Sequence, residues 1–490
     1  MKRSAFHPLP LAILAIFLAL FAAACSTPLA PGYQILKESR EVQFVAAQPS
    51  ELRVSSRYTL QNYGNGDLAF LDVVLPDPQS YATKNLRVEV DGRAAKFEKL
   101  PAGFQDQSAN TFRITFDSPW TRKQKCSLSI EYSLASPEDS GPLITLSENA
   151  FHLGSHGWFP GLEPPKHVLS PHPGPPARTL YSVRVPSNFL VLGGGLSKGR
   201  KNNAGEVQYT FELRNGDPAP YVVAGRYVDS SANRKSGPVV FWTLEPLKDD
   251  PAAAEQAIAD AWGTLQRDFG PLDKNIRLPH IVESPGLRSS VSGQGAPAAA
   301  SFPGGALVNP QALALGVNGG DFAEQVTQAL AHGWFNQVYP SPNAAIGMGQ
   351  GLPAYATIVI DEARNGEAAR RRRVQQFLRE YDDACGQAVE KPLVALTAED
   401  PVEQRRIGLA KAPLFFIALE DAYGPQPIRS GLAQLLFLLR GQSAGYDDLR
   451  SALEQSTGKN LAPVFRSWLY QQGIPAEFSK RYEAAAVETK

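Results

Sequence analysis

The sequence predicts a multidomain chain. An all-β sandwich or saddle comes first, then an α+β part, then a mainly helical C-terminal part. Three observations predict this order. Apolar and polar residues alternate with period two in short runs through about residue 228, and no long helical period interrupts them. Near Gly237 the texture changes to strands mixed with alanine-rich helices. From about residue 368 a helical period continues almost to the end. With 490 residues, 43% of them hydrophobic, the chain has ample material for a core, and its length suggests about three domains.

The elements follow in order. Residues 52–60 and 86–90 alternate as strands, and Asp91-Gly92 reads as the turn of a hairpin. Residues 111–116, 127–132, 180–185 and 207–213 continue the pattern, with Asn215-Gly216 as a further turn. The polar stretch 229–237 reads as the end of this β-rich half. Beyond it, 239–244 is a strand, 251–269 a helix closed by Gly270-Pro271, and 276–282 another strand. A short apolar segment, Ala306-Leu307-Val308, lies between glycine- and proline-rich loops. Gly319-Gly320 then breaks the chain, and Asp321 with Glu324 forms the pattern of a capping box. The helix it opens is expected to reach Tyr339, where Pro340 stops it. A second helix starts near Gly351 and carries Tyr355 through Ala363. Residues 414–419 and 432–439 are apolar helix cores.

Several function classes find no support. Lys and Arg number 48, Asp and Glu 48, so no basic surplus points to a nucleic-acid partner. The one basic run, Arg370 to Arg373, reads as the solvated face of a helix. His152 and His156 stand four apart, a zinc spacing on a helix, but Leu153-Gly154-Ser155 is a poor helix sequence. No G-x-S-x-G with catalytic partners marks a serine hydrolase. Cys126 and Cys385 read as two buried free thiols, with a disulfide between them left open.

The N-terminus reads as a targeting signal. Lys2 and Arg3 precede an apolar stretch, residues 9–24, too short to span a membrane comfortably. It ends in A-A-A-C-S over residues 22–26, which resembles a bacterial lipobox. The resemblance implies cleavage before Cys25, lipid chains such as palmitate on that cysteine, and anchoring to the cell envelope. Ser26 suits the outer membrane, facing the periplasm. The expected division is a signal peptide over 1–24, a tether over 25–40, a β-sandwich domain over 41–236, a second domain over 237–367 and a helical part over 368–490.

The chemistry concentrates in a series of short motifs. They read D-F-G-P at 268–271, G-A-L-V-N at 305–309, V-T-Q-A-L-A-H-G-W-F at 326–335 and G-Q-G-L-P-A-Y at 349–355. A-K-A at 410–412 and V-F-R-S-W-L-Y-Q-Q-G-I-P at 464–475 follow. In order and spacing these resemble the membrane alanyl aminopeptidases, a family of gluzincin zinc metallopeptidases. The resemblance implies a thermolysin-like α+β metallopeptidase domain over 237–367 with a mainly helical part behind it.

Matched residue by residue, that implied site is degenerate. Gluzincins bind zinc with two histidines one turn apart and a glutamate, and a second glutamate serves as general base. Here the three ligand positions hold Gln328, His332 and Gln350, and the base position holds Ala329. The oxyanion tyrosine falls near Leu409. The substrate strand, Gly305, Ala306, Leu307, Val308 and Asn309, has Val308 where the family's amine-anchoring glutamate stands. A neutral amide is a poor zinc ligand, and His332 alone does not hold the metal. His332 then reads as a hydrogen-bonded core histidine. No cofactor is expected. The expectation is an envelope-anchored, peptidase-like lipoprotein without catalysis, a pseudoenzyme that binds a peptide or an envelope protein. It would meet the membrane through Cys25 and bind a peptide by strand addition along 305–309. The alternative is an active zinc-dependent aminopeptidase with an atypical site, drawing ligands such as Asp361 or Glu362.

Overall fold

The computed structural model describes residues 32–45, 50–64, 66–76, 82–101, 110–135, 145–154, 158–163, 178–214, 220–232, 237–272, 276–287, 299–318 and 320–483. The signal segment, Cys25, His156, Asn215-Gly216 and Gly319 lie outside them.

The N-terminal part is all β. Its largest sheet has eight strands in the order Leu196–Asn203, Glu206–Arg214, Arg178–Pro186, Tyr33–Val45, Glu51–Asn62, Lys125–Ala135, Ala82–Val90 and Arg93–Ala94. One pair is parallel, Tyr33–Val45 beside Arg178–Pro186, and the others are antiparallel. In Glu51–Asn62 every second residue is buried, Leu52, Val54, Tyr58 and Leu60 among them, which is the period the sequence shows. Asp91 and Gly92, with φ of 50° and 75°, make the tight hairpin that pairs Val90 with Arg93. Two four-stranded sheets complete this half and share its core. The strand Tyr33–Val45 occupies much of the expected tether. Pairing with two strand neighbours and the burial of Tyr33, Val42 and Phe44 hold it in the sheet from Tyr33 onward.

The second part is built on a five-stranded sheet ordered Val228–Asp229, Val240–Thr243, His280–Glu283, Gly305–Val308 and Ala299–Phe302. Its first strand precedes the polar stretch expected to divide the domains. Val228 pairs with Thr243 and Asp229 with Trp242, so the second part begins before Val228 rather than after residue 236.

Ten helices follow among the described residues: α1 (Ala252–Phe269), α2 (Pro310–Ala314), α3 (Gly320–Phe335), α4 (Gly351–Asn365) and α5 (Glu367–Cys385), then α6 (Val402–Tyr423), α7 (Pro425–Leu438), α8 (Tyr446–Thr457), α9 (Ala462–Leu469) and α10 (Ala476–Glu483). One apolar core runs from Val239 and Phe241 through α3, α4 and α6 to Trp468 and Tyr482, so the helices after residue 368 share it, with only a small separate cluster of Tyr381, Ala384, Ile407 and Ala410 beside it.

The Arg370 to Arg373 run is no simple solvated face. Arg370 is buried and donates to Glu420 at 2.6 Å and to Asp421 at 2.9 Å. Arg429 binds the same Glu420 at 2.7 Å, and Tyr355 donates to it at 2.6 Å. Burying Glu420 without these partners would leave an uncompensated charge, so the network ties α4, α5, α6 and α7 in one arrangement. Cys126 is a buried free thiol as expected, and burial raises its pKa to about 12. Cys385 is also free, but only half-buried.

Candidate active site and its missing chemistry

Helix α3 carries the motif of residues 326–335. Phe322, Val326, Leu330 and Trp334 recur at four-residue spacing and are buried against the sheet. Gly333 lets the helix approach the strand Ala299–Phe302, because a Cβ there would lie 3.0 Å from that of Ser301. The opposite face holds Asp321, Gln325 and Gln328, all exposed, and the half-buried His332. Gln328 and His332 therefore share a solvent-facing stripe one turn apart, and Ala329 points inward at 4% exposure.

Three expectations about this helix are corrected. It begins at Gly320, so Asp321 lies inside its first turn, and the Glu324 carboxylate pairs with Arg373 of α5. It ends at Phe335 rather than Tyr339, because Tyr339–Pro340 leaves as a short strand beside Ser443–Ala444. His332 is not a hydrogen-bonded core histidine. Its ring makes no hydrogen bond among the described residues, and partial burial lowers its pKa below the ordinary 6.5.

Gln350 closes a six-residue π-helical turn, Ala345–Gln350, that leads into α4. The turn packs against α3, α4 and α6. Such turns leave the ordinary helical ladder and recur at functional sites. Its tight seat depends on Gly347, where a Cβ would stand 2.0 Å from the Tyr446 hydroxyl. Gln350 itself is exposed. Leu409, on α6, is 38% exposed, and its neighbour Gly408 packs on Ile346 of the same turn. The helix with Gln328 and His332 and the helix with Leu409 thus both pack on the turn that ends in Gln350.

The strand Gly305–Val308 is buried along its whole length. It pairs in parallel with His280–Glu283 and antiparallel with Ala299–Phe302, so both backbone edges are taken. Strand addition along 305–309 is therefore ruled out by the existing ladder. Gly305 is required there by shape. Its φ is 152°, and a Cβ would lie 2.0 Å from the His280 carbonyl oxygen. Val308 is fully buried, and Asn309 caps the short α2 by accepting from Gln311 N at 2.7 Å.

The motif residues that match the family have packing jobs. Trp334 donates to the Gly270 carbonyl at 3.0 Å and meets Trp262 edge-on at 4.9 Å. Phe335 and Tyr355 both meet Phe269 edge-on. Lys411 is fully buried, donating to Glu390 at 2.7 Å and to the Gln471 carbonyl at 2.8 Å. Glu390 also accepts from Gly473 N at 2.6 Å and from the Tyr381 hydroxyl at 2.7 Å. Burial lowers the Lys411 pKa, while Glu390 opposes that shift. The A-K-A motif and the 464–475 motif are thereby one structural joint, a relation that sequence spacing did not reveal.

Nothing in the site fits zinc. Gln328, His332 and Gln350 offer one imidazole and two amides, and Asp361 and Glu362 are occupied elsewhere. Asp361 binds Arg373 at 2.7 Å and Glu362 binds Arg429 at 3.0 Å. Among the described residues, no group of three His, Cys, Asp or Glu side chains is placed to hold a metal. His152 is no ligand of a helical pair either. It sits in the strand Ala150–Leu153, where Nε2 lies 2.8 Å from the Tyr227 hydroxyl and Nδ1 3.1 Å from Ser284 Oγ.

Solved structures share this architecture. The M1 zinc metallopeptidase from Deinococcus radiodurans matches over 91% of this chain and 95% of its own, at 16% identity and a TM-score of 0.59. The fold is that of the M1 zinc metallopeptidases. A two-domain M1 zinc metallopeptidase variant bound to L-arginine matches with a TM-score of 0.60 at 15% identity, over 91% of this chain and 95% of its own. Native yeast LTA4 hydrolase matches 91% of this chain and 69% of its own, with a TM-score of 0.61 at 13% identity. At these identities the likeness carries the M1 fold alone. No protein-family model and no curated protein matches the chain. Among the described residues no helix is long and apolar enough to cross a membrane.

Proposed function

We propose that the chain is an M1-fold protein without peptidase turnover, held at the bacterial envelope through lipid on Cys25 and serving as a peptide- or protein-binding or scaffold module. One observation carries the reading. The motif residues Trp334, Phe335, Tyr355 and Lys411 are buried structural contacts, while the motif resemblance sets Gln328, Ala329 and Gln350 at two ligand positions and the base. Removing the general base alone costs roughly 10²–10⁴-fold. Without three ligands no metal-bound water forms for a base to act upon. A partner would be held by side-chain contacts with the exposed Gln328, Gln350 and Leu409, because the strand Gly305–Val308 has no free edge.

The test is metal content by mass spectrometry, together with hydrolysis of an amino-acid amide by the purified wild type. Neither zinc nor turnover is expected, and stoichiometric zinc with turnover would overturn the reading. Anchoring is tested apart, by labelling cells with a fatty-acid probe. A Cys25→Ala variant should lose both label and membrane fractionation.

A further inference from the structure

Helix α5 lines an open cavity of about 370 Å³ together with Asp361 and Asn365 of α4. The arginines of α5 divide their contacts in a way the sequence does not show. Arg370 enters the buried network, and Arg371 pairs with Glu367 at 3.4 Å. Arg373 is held in place by Asp361 at 2.7 Å, by Gln376 at 3.1 Å and by Glu324. Arg372 and Arg379 are both exposed, and neither has an ion-pair partner among the described residues. They stand two turns apart on one face of the helix, and both line the cavity. The lining holds three guanidinium groups and one carboxylate, Asp361, which is already taken by Arg373, so a surplus of two positive charges remains.

We propose that this cavity binds a phosphate-bearing ligand, gripped between Arg372 and Arg379. A guanidinium presents parallel N–H donors that match two oxygens of one phosphate. A phosphomonoester carries about −1.5 to −2 charge at neutral pH, close to the surplus in the lining. Arg373 is held by Asp361, Glu324 and Gln376 and its charge is compensated there, so the free positive charge is that of Arg372 and Arg379. The volume lies in the range of small-ligand pockets, which favours a phosphorylated small molecule or a lipid headgroup over an extended acidic surface.

Calorimetry of the full purified chain with inorganic pyrophosphate tests this. In parallel, phosphatidylcholine vesicles are sedimented with the chain, with and without phosphatidylglycerol. Saturable pyrophosphate binding is expected, weakening as salt is raised. Arg372→Gln with Arg379→Gln should weaken it about tenfold or more while leaving the melting temperature unchanged, since both side chains are exposed. The charge-preserving pair Arg372→Lys and Arg379→Lys should fall between the two, because lysine lacks the fork. Binding only to phosphatidylglycerol vesicles, lost in the glutamine pair, supports the site with a lipid headgroup as ligand. The proposal is overturned if neither probe binds, if wild type and glutamine pair bind alike, or if the lysine pair equals wild type.

Discussion

A glutamine at 328 still points where a ligand would point, because the helix position decides the direction and the residue type decides only the donor atom. That makes the site open to repair. Gln328→His and Gln350→Glu should restore stoichiometric zinc around His332, read by mass spectrometry. Adding Ala329→Glu should yield little or no amide hydrolysis, since Leu409 supplies no oxyanion partner and the buried Val308 no amine anchor. Because Ala329 is 4% exposed, a glutamate there is unfavourable without metal by roughly 1–3 kcal/mol or more. The triple variant should therefore melt higher with zinc than without it. A folded triple variant that takes up no zinc would show that Gln350 is not the third position. The donor atoms offered at 328, 329 and 350 were legible in the sequence, because they follow from the identity of each side chain. The half-exposed state of His332 and the full burial of Lys411 were not, because burial depends on which distant residues pack there.

The turn Ala345–Gln350 shows how one element is set by another far along the chain. Gly347→Ala places a methyl group against the Tyr446 hydroxyl, and overpacking of this kind costs about 1–3 kcal/mol. Removing that hydroxyl with Tyr446→Phe should recover part of the loss in the double variant, since the ring carbon behind it stays 2.9 Å from the added Cβ. Chemical denaturation of the four proteins checks it, and simple additivity of the two single effects would contradict the contact. Strands of the β-rich half and helices α1, α4, α6 and α7 follow from local periodicity, which is why their positions were readable. The π-helical turn and the pairing of Tyr339–Pro340 with Ser443–Ala444 join segments about a hundred residues apart, and no local period encodes them.

Across the whole molecule, His152 joins the two halves, reaching Tyr227 and Ser284 from the strand Ala150–Leu153. Burial lowers its pKa from 6.5 to about 3, so the folded state holds it neutral. Between those values the unfolded chain binds the extra proton. The stability this neutral histidine contributes is complete above about pH 6.5 and is lost as the pH falls toward 3. The slope is about 1.4 kcal/mol per pH unit for one proton. His152→Gln should be less stable at pH 7.5 and should lack that part of the acid slope. Denaturant midpoints taken from pH 7.5 to 4.5 measure it, and parallel curves for the two proteins would refute the coupling.

The sequence alone determined the β-then-helical order, the motifs that resemble those of the M1 peptidases, and the residue types at 328, 329 and 350, since all of these are properties of residue type and local spacing. Tertiary structure alone decided that the second part begins before Val228, that the strand Gly305–Val308 has no free edge, and that Arg370 is buried while Arg372 lines a cavity. Four consecutive arginines are identical as text. They differ only in what the fold brings to each direction around the helix, because a step of 3.6 residues per turn sends neighbours to different faces.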